Sequence, residues 1–205
     1  MINTRTLALG LFALAAPLAI ADGFYIAPYL QNVTPDGATI IYQTNENGQG
    51  VVEYGPEGSF DRKATGAPDE MIRKVRITAL KPDTAYSYRV RAGNEERVHT
   101  FRRAPAPGAD REVTFAIFGD TRRLDNKVEE TKFIDHIKQW NAEFYIINGD
   151  LVVKGHDYSL WKPHFDRFAE IGAEHMIVTA RGNHEGSMLV DTENDWFAKY
   201  HELPG

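Results

Sequence analysis

The strongest constraint on this chain is a proline-rich segment at which the hydrophobic period changes. Arg102-Arg103-Ala104-Pro105-Ala106-Pro107-Gly108-Ala109-Asp110 holds two prolines and a glycine in nine residues, a composition that interrupts both helix and strand. Upstream, the run Ala85 to Ala92 places Tyr86, Tyr88 and Val90 on one face and Ser87, Arg89 and Arg91 on the other, the period of two expected of a half-buried antiparallel strand. Similar short runs occur at Ala38 to Thr44, Val51 to Tyr54, Val75 to Leu80 and Arg97 to Phe101. They are separated by Pro35-Asp36-Gly37, Asn47-Gly48, Gly55-Pro56 and Lys81-Pro82-Asp83. Short strands punctuated in this way predict a β sandwich over residues 22–101, with 102–110 as linker.

Downstream, over residues 111–205, the order becomes strand, helix, strand, helix, strand. Val113 to Phe118, Phe144 to Ile147 and Met176 to Val178 are continuous apolar runs, expected of strands buried on both faces. Between them Phe133, Ile137 and Trp140, and then Trp161, Phe165 and Phe168, recur at helical spacing within 127–140 and 158–171. The alternation predicts a parallel sheet with crossover helices.

The first 21 residues read differently from either region. Arg5 is followed by an apolar stretch from Leu7 to Ala21, and Ala19-Ile20-Ala21 offers a small-x-small cleavage pattern. The stretch is 15 residues long, against about 20 for a spanning helix. It predicts a removed signal peptide, a mature chain beginning at Asp22, and a protein secreted or periplasmic with no membrane span after cleavage. An uncleaved anchor is the rival reading. Cysteine is absent, so neither a disulfide framework nor a thiolate metal site is available. With a net charge of −6 and no long basic run, the electrostatic footprint of a nucleic-acid binder is missing.

Chemistry concentrates where the three downstream strands end: Gly119-Asp120-Thr121-Arg122, Gly149-Asp150-Leu151-Val152 and Gly182-Asn183-His184-Glu185. In open α/β sheets ligands bind at the carboxyl ends of the strands. Carboxylates converging there are costly unless a cation sits between them, and without sulfur the oxygen and nitrogen donors suit iron, manganese or zinc. Any single Gly-Asp pair marks a turn in many proteins. Asp120 and Asp150 read alternatively as helix N-caps, His184 as a structural loop histidine, and Arg122 as either a surface charge or a phosphate-facing cation. Glu185 reads as a hydrogen-bonding residue rather than a ligand.

Taken together, motifs in the order Asp120, Asp150, Asn183-His184-Glu185, 30 and 33 residues apart, resemble those of calcineurin-like metallophosphoesterases. The likeness covers residues 113–205, that is, the first half of an α/β metallophosphoesterase domain. Leu80-Lys81-Pro82-Asp83-Thr84-Ala85-Tyr86 resembles the tyrosine corner of fibronectin type III domains, with Tyr86 as the corner residue, and Pro28-Tyr29-Leu30-Gln31 is similar to the start of purple acid phosphatase N-terminal domains. The resemblance implies a phosphate-ester substrate and two divalent or trivalent metal ions. Asp120 would be a ligand of the first, Asp150 the bridge, Asn183 a ligand of the second and His184 the catalytic group beside the leaving alcohol, with a metal-activated hydroxide attacking phosphorus.

This chain departs from the family pattern at Arg122, where many relatives have histidine, and at Val153, where the purple enzymes have tyrosine. His156 and Tyr158 are the nearby candidates for a substitute ligand. The resemblance also implies histidines from two later motifs, whereas 22 residues follow Asn183, so the catalytic domain is expected to be incomplete. His201 reads as the end of a helix, and His99, His136, His164 and His175 as structural or surface residues. A secreted binding or adhesion module with a degenerate phosphoesterase domain is the alternative to an enzyme.

Overall fold

The computed structural model describes residues 23–124, 126–186 and 191–203. The expected leader over residues 1–21 lies outside them. Two sheets form the N-terminal sandwich. One has the order β1-β2-β5, from Phe24–Thr34, Gly37–Gly48 and Glu70–Ile77; the other has the order β4-β3-β6-β7, from Arg62–Thr65, Val51–Pro56, Ala85–Ala92 and Glu95–Arg102. All the pairings are antiparallel. The interior between the sheets holds Leu30, Ile40, Tyr42, Val52, Val75, Ile77, Tyr86, Tyr88 and Val90. At the corner the Lys81 amide donates to the Tyr86 hydroxyl at 3.0 Å, which lets that ring be buried without leaving its oxygen unpaired.

Strands β1 and β4 carry no run that the sequence reading singled out. β4 is short and mostly exposed, with Ala64 its one apolar residue. β1 contains three register shifts in its pairing with β2, which break the strict alternation.

The second unit is a parallel sheet, β8-β9-β10, from Phe115–Phe118, Phe144–Asn148 and Met176–Ala180, with α1 at Lys127–Lys138 and α2 at Trp161–Glu174. Asn126 caps α1 by accepting from the Val128 amide, with Glu129 and Glu130 favourably placed in its first turn. Phe118 touches Phe133 of α1 and Phe168 of α2, so both helices lie on one face of the sheet. A short helix α3, Trp196–Tyr200, follows, with His201 at its C-terminus as expected.

The expectation that these strands are buried on both faces is corrected by the structure. Ala116, Tyr145 and Ile177 are buried beneath the helices, but on the other face Phe115 and Ile117 are 50% and 57% exposed. Phe115 lies against Phe144 there. Among the described residues no layer covers that face, although its residues are as apolar as those beneath the helices.

Burial on two sides occurs instead in the sandwich, at β2. Ile40 and Tyr42 face the other sheet, while Ile41 joins Tyr29, Trp161, Phe168 and Tyr200 in a cluster shared with the α/β unit. Polar atoms cross this seam in pairs. The Gln31 side chain donates to the Ile177 carbonyl at 2.9 Å, Tyr29 donates to the Tyr200 carbonyl at 2.6 Å, and Gln43 donates to the Tyr158 hydroxyl and accepts from that of Tyr200, both at 2.7 Å. Tyr88 donates to the Ala173 carbonyl at 2.8 Å. Among the described residues no helix is long and apolar enough to cross a membrane.

Two imidazoles are buried at the seam. His164 of α2 and His201 both line a cavity of about 30 Å³ with Gln31, Phe165 and Thr179. Burial pushes His201 down from 6.5 to about 4 and His164 well below its ordinary value, because desolvation penalises the imidazolium. Both groups therefore support the fold fully above pH 6.5, and that support is lost as pH falls toward 4, since only the unfolded chain takes up protons in between. Stability is expected to fall by about 1.4 kcal/mol per pH unit for each histidine between pH 6.5 and 5. Urea denaturation across that interval measures it, and His201→Gln should flatten the slope by about half, whatever it does to absolute stability.

Candidate functional site

Each strand of the parallel sheet ends immediately before one of the three motifs: β8 at Phe118, β9 at Asn148 and β10 at Ala180. The loops that follow are bonded to one another. The Asp120 amide donates to the Gly149 carbonyl at 3.2 Å, the Arg122 amide to the Asp150 carbonyl at 3.1 Å, and the Gly155 amide to the His184 carbonyl at 3.0 Å. Asp120 and Asp150 both have left-handed backbones, with φ of 56° and 57°, a conformation aspartate tolerates better than most residues. Glycine is required where the loops nest. A Cβ at Gly182 would lie 2.2 Å from Asp150 Oδ1 and 2.4 Å from its amide nitrogen, and one at Gly149, whose φ is 79°, would lie 2.8 Å from the Gly182 Cα.

Glu185 holds this edge together. Its side chain is fully buried and accepts three backbone N–H bonds, from Asp150 at 2.9 Å, Val152 at 3.0 Å and Gly182 at 3.0 Å. The reading of Glu185 as a hydrogen-bonding residue agrees with this geometry. Neighbouring His184 receives support of another kind. Its amide donates to Asp150 Oδ1 at 3.2 Å, and its Nδ1 lies 2.6 Å from the Val153 carbonyl. A carbonyl only accepts, so Nδ1 carries the hydrogen and Nε2 is left with the ring's free lone pair. The Val153 side chain is 45% exposed, so at this position the backbone carbonyl, not the side chain, takes part in the site.

Arg122, read from the sequence as either a surface charge or a phosphate-facing cation, is engaged by carboxylates. Its Nη1 contacts both Asp120 and Asp150, the latter at 2.7 Å, and its side chain is 11% exposed. The hydrogen bond it donates to Asp120, followed by the charges of Asp150, Asp120 and Glu185, raises the guanidinium further above its ordinary value, so it is a permanent cation. Asp120 precedes a short 3₁₀ turn, Thr121–Arg123, but makes no side-chain cap bond; its carboxylate goes to Arg122 instead.

A residue that the sequence reading did not single out steadies this loop. Arg167 of α2 bonds the Thr121 and Leu124 carbonyls, both at 3.0 Å, and Glu130 at 3.0 Å. It is 46 residues from Thr121 along the chain, and only its helical position opposite the loop could have suggested the contact.

Tyr158 and His156 do not join the carboxylates. Tyr158 is committed to the seam, stacked on Tyr25 at 5.6 Å and bonded to Gln43. His156 has a buried Nδ1 without a hydrogen-bond partner. Among the described residues no group of three or more His, Asp or Glu side chains is placed to hold a metal ion. The carboxylates brought together are those of Asp120 and Asp150, with Arg122 between them; Asn183 lies in the neighbouring loop, between Gly182 and His184. The space between Asp120 and Asp150 is taken by the Arg122 guanidinium.

The molecule is therefore a β sandwich docked on an α/β unit, with these three motifs at the carboxyl edge of the parallel sheet. Residues 25–103 match the family model described as purple acid phosphatase N-terminal domain, and residues 113–204 match that of the calcineurin-like phosphoesterases. The chain is thus similar to purple acid phosphatase N-terminal domains over its first unit and to calcineurin-like phosphoesterases over its second. It is 24% identical over 186 residues to probable purple acid phosphatase 20 of Arabidopsis thaliana and 26% identical over 178 residues to purple acid phosphatase 21 of the same plant. The matches cover 85% and 81% of this chain but 42% and 39% of those proteins, so the chain spans about two fifths of their length.

Among solved structures, PhoD superposes with a TM-score of 0.71 at 14% identity, covering 93% of this chain and 49% of that one. Purple acid phosphatase PPD1 from yellow lupin (Lupinus luteus) superposes with a TM-score of 0.68 at 20% identity, covering 90% and 41%. These show the shared fold. The family implies divalent or trivalent metal ions and phosphate-ester substrates. No support emerges for a binding or adhesion module with a degenerate domain.

Removing the Glu185 carboxylate would orphan three amides at the heart of the edge. Glu185→Ala is expected to cost about 3 kcal/mol or more, since a buried unsatisfied donor costs about 1–3 kcal/mol. Glu185→Gln, which retains one acceptor oxygen, should cost less. Chemical denaturation of the three proteins side by side reads both differences.

Proposed function

We propose that the protein carrying this chain is a metal-dependent phosphoric ester hydrolase of acid phosphatase type, acting outside the cytoplasm, with its chemistry at the carboxyl edge of β8, β9 and β10. The observation that carries this reading is the convergence of Asp120, Asp150 and the Asn183-His184 pair on loops bonded to one another and pinned by Glu185. Asp150 and Asn183 are the oxygen donors for metal, with iron, manganese or zinc as the ions that such donors suit, while the Asp120 carboxylate is engaged by Arg122. Bound metal would supply Lewis acidity toward a phosphoryl oxygen and activation of the attacking water.

The chain's own residues account for the rest of the reaction. In hydrolysis a bond forms between water oxygen and phosphorus, the ester P–O bond breaks, and the departing alkoxide must gain a proton. His184 is suited to donate it: Nδ1–H is fixed on the Val153 carbonyl, so the second proton of the imidazolium resides on Nε2, the only ring nitrogen able to release it to the leaving group. Arg122 has one nitrogen engaged by carboxylates and a planar fork whose remaining N–H groups suit phosphate oxygens. Asp150 serves twice, since its Oδ2 faces Arg122 and its Oδ1 accepts from the His184 amide.

The test is made on the full-length gene product with an aryl phosphate as substrate and metal content measured by elemental analysis. Asp150→Ala should lose both metal and activity. His184→Ala should keep its metal and lower kcat by about 10²–10⁴-fold, the usual contribution of a positioned acid. An unchanged rate in Asp150→Ala would exclude this edge as the active site.

A further inference from the structure

The Arg122 guanidinium stands where two carboxylates would otherwise share an ion. A single nitrogen, Nη1, contacts Asp120 and lies 2.7 Å from Asp150 Oδ2. A metal between the same oxygens would sit at about 2.0–2.2 Å from each and would need ligands with lone pairs, whereas a guanidinium has none to offer and carries a positive charge of its own. The two cations cannot occupy one place.

Nor is Arg122 a loose surface arm. Its side chain is 11% exposed and that of Asp150 13%, its amide is bonded to the Asp150 carbonyl at 3.1 Å, and Arg167 holds the adjoining Thr121 carbonyl from α2. Among the described residues no third acidic or imidazole side chain joins Asp120 and Asp150, so an ion displacing the guanidinium would find only those two carboxylates there.

We propose that Arg122 is the resident cation at the first of the two positions, so that the site takes one metal ion, at Asp150 and Asn183, beside a fixed guanidinium. This rests on the phosphoesterase reading for the identity of the site but not for its arithmetic. The guanidinium offsets one of the two carboxylate charges of Asp120 and Asp150, and unlike a metal ion it cannot be removed by a chelator.

The experiment counts ions. Full-length protein stripped of metal is titrated with Mn²⁺ and, separately, Zn²⁺ by calorimetry, and bound metal is counted after gel filtration. The wild type should bind one ion per chain. Arg122→Ala and the near-isosteric Arg122→Gln should each bind one more, Arg122→His should bind the second at least tenfold more tightly than Arg122→Gln, and Arg122→Lys, which keeps the charge, should stay at the wild-type number. Circular dichroism confirms that each variant is folded, and two neutral variants guard against the loss of one. Two ions in the wild type, or the same number in wild type, Arg122→Ala and Arg122→Gln, would overturn the proposal. If the ion count shifts as expected while no aryl phosphate is hydrolysed by any of the proteins, the phosphoesterase reading fails and the cation exchange stands.

Discussion

The geometry of the candidate site depends on one buried carboxylate. Glu185 receives N–H groups from the loop after β9 at two points and from the loop after β10 at a third, and it is fully buried. A carboxylate in that position is acceptable because each of its oxygens is satisfied by backbone donors. In turn it sets the distance between the two loops, and with it the place of Asp150 relative to His184. The close nesting at Gly149 and Gly182 is possible because Glu185 draws the two backbones together. Left-handed Asp150 is held in the same way, by bonds on both sides of its peptide.

Charge at the edge is balanced locally. Asp120 is largely exposed and Asp150 largely buried, at 74% and 13%, and a single guanidinium serves both. The buried member has the greater need of a counter-ion, because desolvation weakens its hydration most. Arg167 performs a related task one layer down, neutralising Glu130 and holding two carbonyls of the turn that carries Asp120 and Arg122.

The parts of the site that could be read in the sequence are those written as local turn chemistry: glycine beside a short polar residue at the end of an apolar run. This is why Asp120, Asp150 and Asn183-His184-Glu185 stood out and why the supporting role of Glu185 was anticipated. Arg122 was left between two readings because a lone arginine has no local signature; its partners are fixed by where β9 lies beside β8, which no spacing along the chain encodes. The same reason hid Arg167. In the fold, β6 agrees with its predicted span because it alternates strictly, whereas β1 was missed where its register shifts break the pattern. Burial of β2 on both faces was hidden because Thr39 and Gln43 look like solvent residues until the α/β unit is laid against them. The runs at β8 to β10 predicted burial correctly beneath the helices and incorrectly on the other face, since apolar composition reports what a face could bury and not what covers it.

The seam between the sandwich and the α/β unit has a consequence for modularity. Fibronectin-like domains are often pictured as beads that can be strung, swapped or deleted without regard to their neighbours. Here Gln31, Gln43, Tyr29 and Tyr88 spend their polar atoms on carbonyls and hydroxyls of the adjoining unit, and Ile26 and Ile41 belong to its hydrophobic cluster. Excised, the sandwich would present an apolar stripe studded with unpaired amides and phenols, a poor surface for water. The β domain is therefore less a passenger attached to a catalytic fold than one wall of it, and recombination between relatives would be tolerated at the level of the whole pair.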